Sequence, residues 1–462
     1  MAQKPPRKKS DTNTKDRASE ASGRQRSSTP RPSAMVTGDD LEYRIARLHI
    51  FSGFFVRRGC PIYTIAALDR ATDLDVLSFT HSELFRRDMM VTECKSGSTA
   101  PLDRIFWLTG VRNYTDASQA FLVRKGTKWN IKDFAKECGV QILDLARITE
   151  IETALKIGEN EWPGVSEKAF YEANLTSWNR ALNNESRYWE LYQTLTSEVR
   201  FDDAFVGVNY LLSQLRQMTR HWTKAPTEPY FRFLLSESIA QLAVFLMRIA
   251  EKCFDLGATD RHGFITKGLT YGNMEPQYAE RIMNSAYNMT RQAVLHYTNK
   301  FVDIDRSLFS MPVPPDTDQV VATVDDLLAA YPSSLNFPQI CDLILIEMFT
   351  KQKEARGWLR RIFPQSDLSA RVEAVRKFIG TLVSMGACPT YILDAITASG
   401  KPNAAESKPQ GAPAAAPPTD KGIPSSSHPE PSTPQESSGS KDSSKPTQAD
   451  LDLTGGATTK RS

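Results

Sequence analysis

Little in this chain of 462 residues points to a disulfide scaffold or a zinc ribbon. It has six cysteines (Cys60, Cys94, Cys138, Cys253, Cys341 and Cys388), widely spaced and with no C-x-x-C pair. Free thiols in a reducing compartment are expected. Histidine is scarce as well, and His221, His262 and His296 lack metal-ligand spacing to one another. No single sign of charge dominates. The 57 Lys and Arg residues stand against 54 Asp and Glu, and a net charge of +3 assigns no partner by itself. No long uninterrupted apolar run occurs. The most apolar segment, 233–250, contains Glu237, Gln241 and Arg248, so it reads as a buried helix rather than a membrane span. The basic start lacks the apolar centre of a secretory signal. These absences predict a soluble, cytoplasmic protein with no membrane contact. There is no internal repeat. The stretch HGFITKGLTYG, with Gly263, Lys267, Gly268 and Gly272, does not fit G-x-x-x-x-G-K-[ST]. It reads as a flexible connection between helices, not a nucleotide site.

What is present divides the chain into four parts. Residues 1–37 are rich in Lys, Arg, Ser, Thr and Pro. Up to residue 34 their basic excess is about +6, and such a segment is predicted to be disordered. Residues 400–462 form a second low-complexity tail of Pro, Ala, Ser, Gly and Thr. Between 38 and 150 the pattern predicts a mixed α/β domain. Asp39 and Asp40 are plausible caps for a helix from Leu41 to about Ser52. Three apolar runs follow, 62–68, 74–79 and 89–95, separated by turn chemistry, and read as a meander. A helix to about Tyr114, a strand at 119–124, a helix at 131–138 and a strand at 140–145 complete it. From 165 to 395 the period is helical throughout, with long apolar stripes at 205–222 and 231–253 and further helices at 276–300, 323–331, 338–361 and 369–386. An all-α domain is predicted there.

One stretch carries chemistry. Asp75 lies on one apolar strand, and Glu93-Cys94-Lys95 on the next. Residues i and i+2 share a face, so Glu93 and Lys95 emerge together while Cys94 points away. If the strands pair, Asp75 meets both. Two carboxylates are hard oxygen ligands suited to Mg²⁺ or Mn²⁺, and a lysine beside them adds a donor and a positive charge.

The pattern Leu-Asp-Val-Leu followed by Glu-Cys-Lys-Ser-Gly resembles the PD-(D/E)xK superfamily. The likeness is nearest to its Mrr-like and related restriction-endonuclease-like domains, and it covers about 40–147. It implies a metal-dependent endonuclease acting on DNA, in restriction or defence against foreign DNA. Asp75 and Glu93 would bind Mg²⁺ (or Mn²⁺), Lys95 would assist the nucleophile, and Glu42 is the matching candidate for an auxiliary glutamate on the first helix. Arg104 or Arg112, on the following helix, would contact substrate. Leu74 stands where the pattern often has proline. Cutting both strands of a duplex needs two sites, so a homodimer is the implied assembly. The alternative is an inactive nuclease-like module that binds nucleic acid or protein.

Lys351, Lys353, Arg356, Arg360 and Arg361 form a basic run with Trp358 interleaved. They are candidates for phosphate contact, against the plainer reading of a solvated helix end. His49 and His81 fall close to the carboxylates in sequence, and packing is the expected role of both.

Overall fold

Alternating apolar residues make five strands, paired into one sheet in the order β1-β2-β3-β4-β5. The computed structural model describes residues 37–63, 70–97, 100–171, 186–196, 203–221, 229–364 and 367–398. Both low-complexity tails, and most of the run at 62–68, lie outside these residues.

Helix α1 (Gly38–Phe51) opens the fold. Thr37 caps it, accepting from the Asp40 amide at 3.1 Å while Asp40 accepts from the Thr37 amide at 3.2 Å. This is a reciprocal capping box. Asp39 and Asp40, expected as caps, instead fall in the first turn, where negative charge suits the helix dipole. Strands β1 (Phe55–Tyr63), β2 (Arg70–His81) and β3 (Arg87–Lys95) run antiparallel. Helix α2 (Pro101–Thr115) then crosses over to β4 (Gln119–Arg124), parallel to β3. Helix α3 (Trp129–Glu137) crosses to β5 (Val140–Asp144), parallel to β4, and α4 (Leu145–Ala154) follows directly. Parallel neighbours need such crossovers, and their helices cover a sheet face.

One difference from the sequence reading is that β1 starts at Phe55, not Ile62. Arg57 and Arg58 hid it, because they break the apolar alternation. Arg57 is nonetheless buried. Its guanidinium meets Glu237 Oε1 and Asp342 Oδ1, each at 2.7 Å, and donates to the Val56 carbonyl at 2.7 Å.

One sheet face packs under α1 through Leu41, Ile45, Val56, Val76, Cys94 and Val123. The other packs Leu77, Val91 and Leu122 against Ile105 and Leu108 of α2 and Ala135 of α3, with Ala240 and Val244 from the helix Pro229–Cys253 filling in. That helix is long and apolar enough for a membrane span, but 94% of its most apolar window is buried inside the protein. The apolar cluster under α1 continues into the helical region through residues such as Phe245 and Leu343. The strand-bearing region and the helices beyond 165 therefore share a core.

The helical region departs from expectation twice. The stretch expected to be a flexible connection is the helix Ala258–Tyr271. Ile265 and Leu269 bury one face, and Gly268 lies against the Phe205 ring where any Cβ would collide. Packing outweighs the cost of about 1 kcal/mol for a glycine in a helix. The helix expected over 338–361 is broken. Helix Phe337–Ile344 passes into the wider π turn Leu345–Thr350, and a new helix starts at Arg356. Gln352, at φ 57°, turns the chain between them.

Candidate metal and nucleic-acid site

Strands β2 and β3 pair only as far as Val76↔Thr92. One step beyond, the register sets Asp75 opposite Glu93. On the other side of β2, Arg58↔Val76 and Cys60↔Leu74 flank Gly59, which faces Asp75. Alternation slips at this level in both strands. Leu74 and Leu77 share one apolar cluster although they are three apart, and so do Phe55 and Cys60. Gly59, at φ 59°, absorbs the slip, and open space lies where its side chain would stand. The β2–β3 ladder therefore ends beside Asp75, while β1 stays paired with β2 on the other side.

Four of the expected residues, Asp75, Glu93, Lys95 and Arg104, converge at this end of the ladder. Lys95 Nζ lies 2.6 Å from Glu93 Oε1 and 3.4 Å from Asp75 Oδ2. Asp75 Oδ2 also accepts the Cys94 amide at 2.6 Å, which ties it to β3. Arg104, in the first turns of α2, brings Nη1 to 3.5 Å from Glu93 Oε1. The Glu93 side chain is only 3% exposed, whereas that of Lys95 is 29% exposed. Burial, then the neighbouring Asp75 charge, pushes the Glu93 carboxyl up to about 6. Burial opposes the charge on Lys95, but the two carboxylates together outweigh it and hold the ammonium above the usual lysine range.

Glu42 completes the surroundings from α1. Burial and Asp75 raise its carboxyl, while Arg58 holds it at 2.9 Å. Arg58 also reaches Asp39 at 2.7 Å. Gly38 fits closely at the start of α1, because a Cβ there would stand 3.7 Å from Ser96 Oγ and 3.9 Å from the Cys94 carbonyl. The first turn of α1 thus borders the loop after Lys95.

Other expected contacts are engaged elsewhere. Arg112, near the end of α2, donates to the carbonyls of Ala117 and Gly139 at 3.3 and 3.4 Å. Lys351 is buried between Glu167 and Glu347, each at 2.8 Å, and Lys353 pairs with Glu167 at 3.1 Å. Arg361 pairs with Glu161 and lies over the Phe51 ring. Arg356 is half-buried and Arg360 exposed, both on the helix Arg356–Ile362. That helix sets Trp358 against Phe51 at the last residue of α1, roughly 20 Å along the helix axis from Gly38. His49 is buried with Nδ1 2.7 Å from Ser78 Oγ, and burial drives it down to about 4. Burial, with Arg87 and Arg248, drives His81 to about 3. Both are neutral packed side chains.

Sequence reasoning missed one neighbour. Because β3 and β4 are parallel, Lys95 pairs with Arg124 in the register, and the chain leaves both strands at the same edge. The run after Arg124 places Lys125, Lys128 and Trp129 there. Lys125 and Lys128 are exposed, and Trp129 is 70% exposed. A basic run holding one aromatic, directly after the strand beside Glu-x-Lys, was the available signal.

Among the described residues, no group of three or more His, Cys, Asp and Glu side chains gathers closely enough to hold a metal ion. The Asp75–Glu93 pair is thus a two-carboxylate donor set. That set fits Mg²⁺, which keeps several waters and takes one or two carboxylates, and it does not fit an all-protein cage. No family model, curated protein or solved structure matches the chain.

Proposed function

We propose that the chain is a metal-dependent nuclease of the PD-(D/E)xK kind, hydrolysing phosphodiester bonds in DNA. The observation that carries this reading is a single one: Lys95 Nζ meets both Glu93 and Asp75 where the β2–β3 ladder ends. The buried Glu93 carboxylate, beside the partly exposed Asp75, is costly unless something cationic meets it. The Asp75 and Glu93 oxygens would hold Mg²⁺ or Mn²⁺, which would supply water activation and offset phosphate charge.

The chain's own groups do the rest. Lys95 stays protonated, because its acidic neighbours hold it so. It is placed to donate to the attacking water or a phosphate oxygen. Glu93 must be ionised to serve as a ligand, and burial raises its carboxyl, so acid opposes metal binding and activity. Arg104 approaches Glu93 from α2 and is placed to meet a phosphate. Lys125 and Lys128 extend positive charge along the same edge, and Trp129 offers a face on which a base can stack. Restriction or defence against foreign DNA and a homodimer rest on the family resemblance alone, and a cytoplasmic setting rests on the sequence features described first.

A second reading has its own observation. Lys95 and Arg104 already neutralise Glu93 from within the protein, as a module that binds without cutting would retain. Incubation of plasmid, single-stranded DNA and RNA with Mg²⁺ or Mn²⁺ separates the two. The nuclease reading expects cleavage by the native protein and a loss of at least roughly a hundredfold in Lys95→Ala. Equal cleavage by both, or none with either metal, sinks it.

A further inference from the structure

The helix Pro276–Thr298 is 23 residues long, yet Ala279 is its one buried residue. No side chain between 276 and 313 belongs to either apolar core. The chain after the helix turns back along the side that carries Asn284, Tyr287 and Arg291. Tyr287 meets Phe309 with ring centroids 5.5 Å apart, Arg291 lies 4.3 Å over the Phe301 ring, and Arg306 donates to Asn284 at 2.8 Å. The opposite side has its own pattern. Tyr278, Ile282, Ser285, Ala286, Met289 and Ala293 recur at helical intervals and form one stripe, which Tyr297 continues. Tyr278 is 54% exposed, Ile282 44%, Met289 68% and Tyr297 85%. A helix in a protein draws most of its stability from packing its apolar face, and this face points outward.

The stripe complements itself when two copies of the helix lie antiparallel. About a two-fold axis between Ser285 and Ala286, residues equally far from the axis on the two copies stand at the same height. Ile282 then faces Met289 of the second copy, and the Tyr278 ring faces the small Ala293. Glu275 faces His296, a carboxylate opposite a ring N–H, and Arg281 faces Thr290, so no like charges meet. A parallel pair would instead set Glu275 against Glu275. At the crossing, Ser285 and Ala286 floor a hollow walled by Tyr278, Ile282 and Met289, and small residues there let two helix axes come within about 8–10 Å. The two tyrosines, Ile282, Met289 and the small residues between them can bury on the order of 700 Å² per copy, above the roughly 600 Å² per partner at the lower end of stable interfaces.

We propose that the exposed face of the helix Pro276–Thr298 is the docking surface for a second copy of this chain, paired antiparallel about Ser285 and Ala286. The low-complexity tails lack the residues to cover it. Residues 400–462 hold no aromatic and, as large aliphatic residues, only Ile423, Leu451 and Leu453, and 1–34 hold none beyond Met1. The pairing does not depend on a metal at Asp75 and Glu93, so its failure and that of the nuclease reading are told apart.

The test is analytical ultracentrifugation of the full chain. The native protein is expected to be a dimer at about 20 μM, since interfaces of this area hold in the micromolar range or tighter. Ile282→Glu and Met289→Lys are each expected to be monomers with native helical circular dichroism, because both positions are exposed in the single chain. Mixed together, the two variants are expected to pair again, since the antiparallel register sets the introduced carboxylate opposite the introduced ammonium. Ser285→Cys, a nearly isosteric change, is expected to link two copies through a disulfide when oxidised with diamide, beyond any link in the native chain, whereas Gln277→Cys on the far side of the helix does not. That link decides if either charge variant loses its helical signal. A native chain that stays monomeric, a dimer that survives both charge substitutions, folded variants that do not pair on mixing, or no Ser285→Cys link overturns the proposal. A monomer that binds phosphatidylglycerol vesicles, and loses that binding in Met289→Lys, overturns it in favour of a membrane surface.

Discussion

Arg57 and Lys95 each sit between two carboxylates, one residue from each of two separate elements or strands. Around Arg57, the partners Glu237 and Asp342 are 1% and 5% exposed at the side chain, and the fork grips Asp342 with two nitrogens at 2.7 and 3.2 Å. Around Lys95, the nearer contact is 2.6 Å and the farther 3.4 Å, and the Lys95 and Asp75 side chains are 29% and 15% exposed. The parts match, but their surroundings differ. A guanidinium is planar, always charged and weakly hydrated, so it suits a sealed cluster that joins elements. An ammonium is a mobile point charge that a substrate or metal can displace from one partner. Two acids and a base are therefore not a site in themselves. Access from solvent, at Lys95 and Asp75 but not at Arg57, separates the cluster that can do chemistry from the one that fastens the sheet to its helices.

The largest effect should come from emptying the sealed cluster. Arg57→Met leaves Glu237 and Asp342 buried without their cation, and losing one partner of a buried pair costs about 3–5 kcal/mol. Urea unfolding should show that loss at pH 7. Burial already raises the Asp342 carboxyl, so acid should return part of the stability as the carboxylates take up protons. An equal loss at every pH would mean that these charges are not what Arg57 balances.

Lys95→Ala should invert the pattern. Glu93 is buried but Arg104 still lies 3.5 Å from it, and Asp75 is partly exposed, so the loss of stability at pH 7 should be smaller than in Arg57→Met while cleavage collapses. A stability loss as great as that of Arg57→Met would make the open cluster as structural as the sealed one.

Glu93→Gln gives a smaller, pH-signed effect. The folded carboxyl titrates at about 6 against 4.5 for an ordinary glutamate. Its contribution to stability is complete below 4.5 and lost as pH rises through 6. The glutamine variant should match the native unfolding temperature near pH 4 and equal or exceed it at pH 8, although it no longer cuts. A variant less stable at pH 8 than at pH 4, relative to the native chain, reverses that sign.

The smallest effect is expected at the rim. Arg104→Ala removes a half-exposed 3.5 Å contact and should weaken DNA binding severalfold, with a shallower salt dependence. Arg112→Ala, by contrast, should leave binding unchanged and shift unfolding instead, since it holds the carbonyls of Ala117 and Gly139.

Much of the strand-bearing region was legible because its signals are local. The strand over 119–124 and the convergence of Glu93 and Lys95 follow from period-two alternation, and the structure places both as expected. What escaped was set by distant partners. Arg57 reads as a surface residue until Glu237 and Asp342, far along the chain, enclose it. Gly268 reads as a loop until Phe205 fills the space beside it. Lys351 and Arg361 look like a phosphate-binding run, yet Glu167, Glu347 and Glu161 had claimed them. Trp129 stayed invisible because only the parallel register of β3 and β4 brings it to the edge that carries Lys95.

The claim that the open cluster takes a divalent cation is tested most directly by titrating Mn²⁺ into the full chain and following free Mn²⁺ by paramagnetic resonance. At pH 8 the native protein should bind the ion, Asp75→Asn and Glu93→Gln should lose that binding, and native affinity should fall by pH 5 as Glu93 protonates. Mn²⁺ binding that survives both substitutions, or is flat between pH 8 and pH 5, contradicts it.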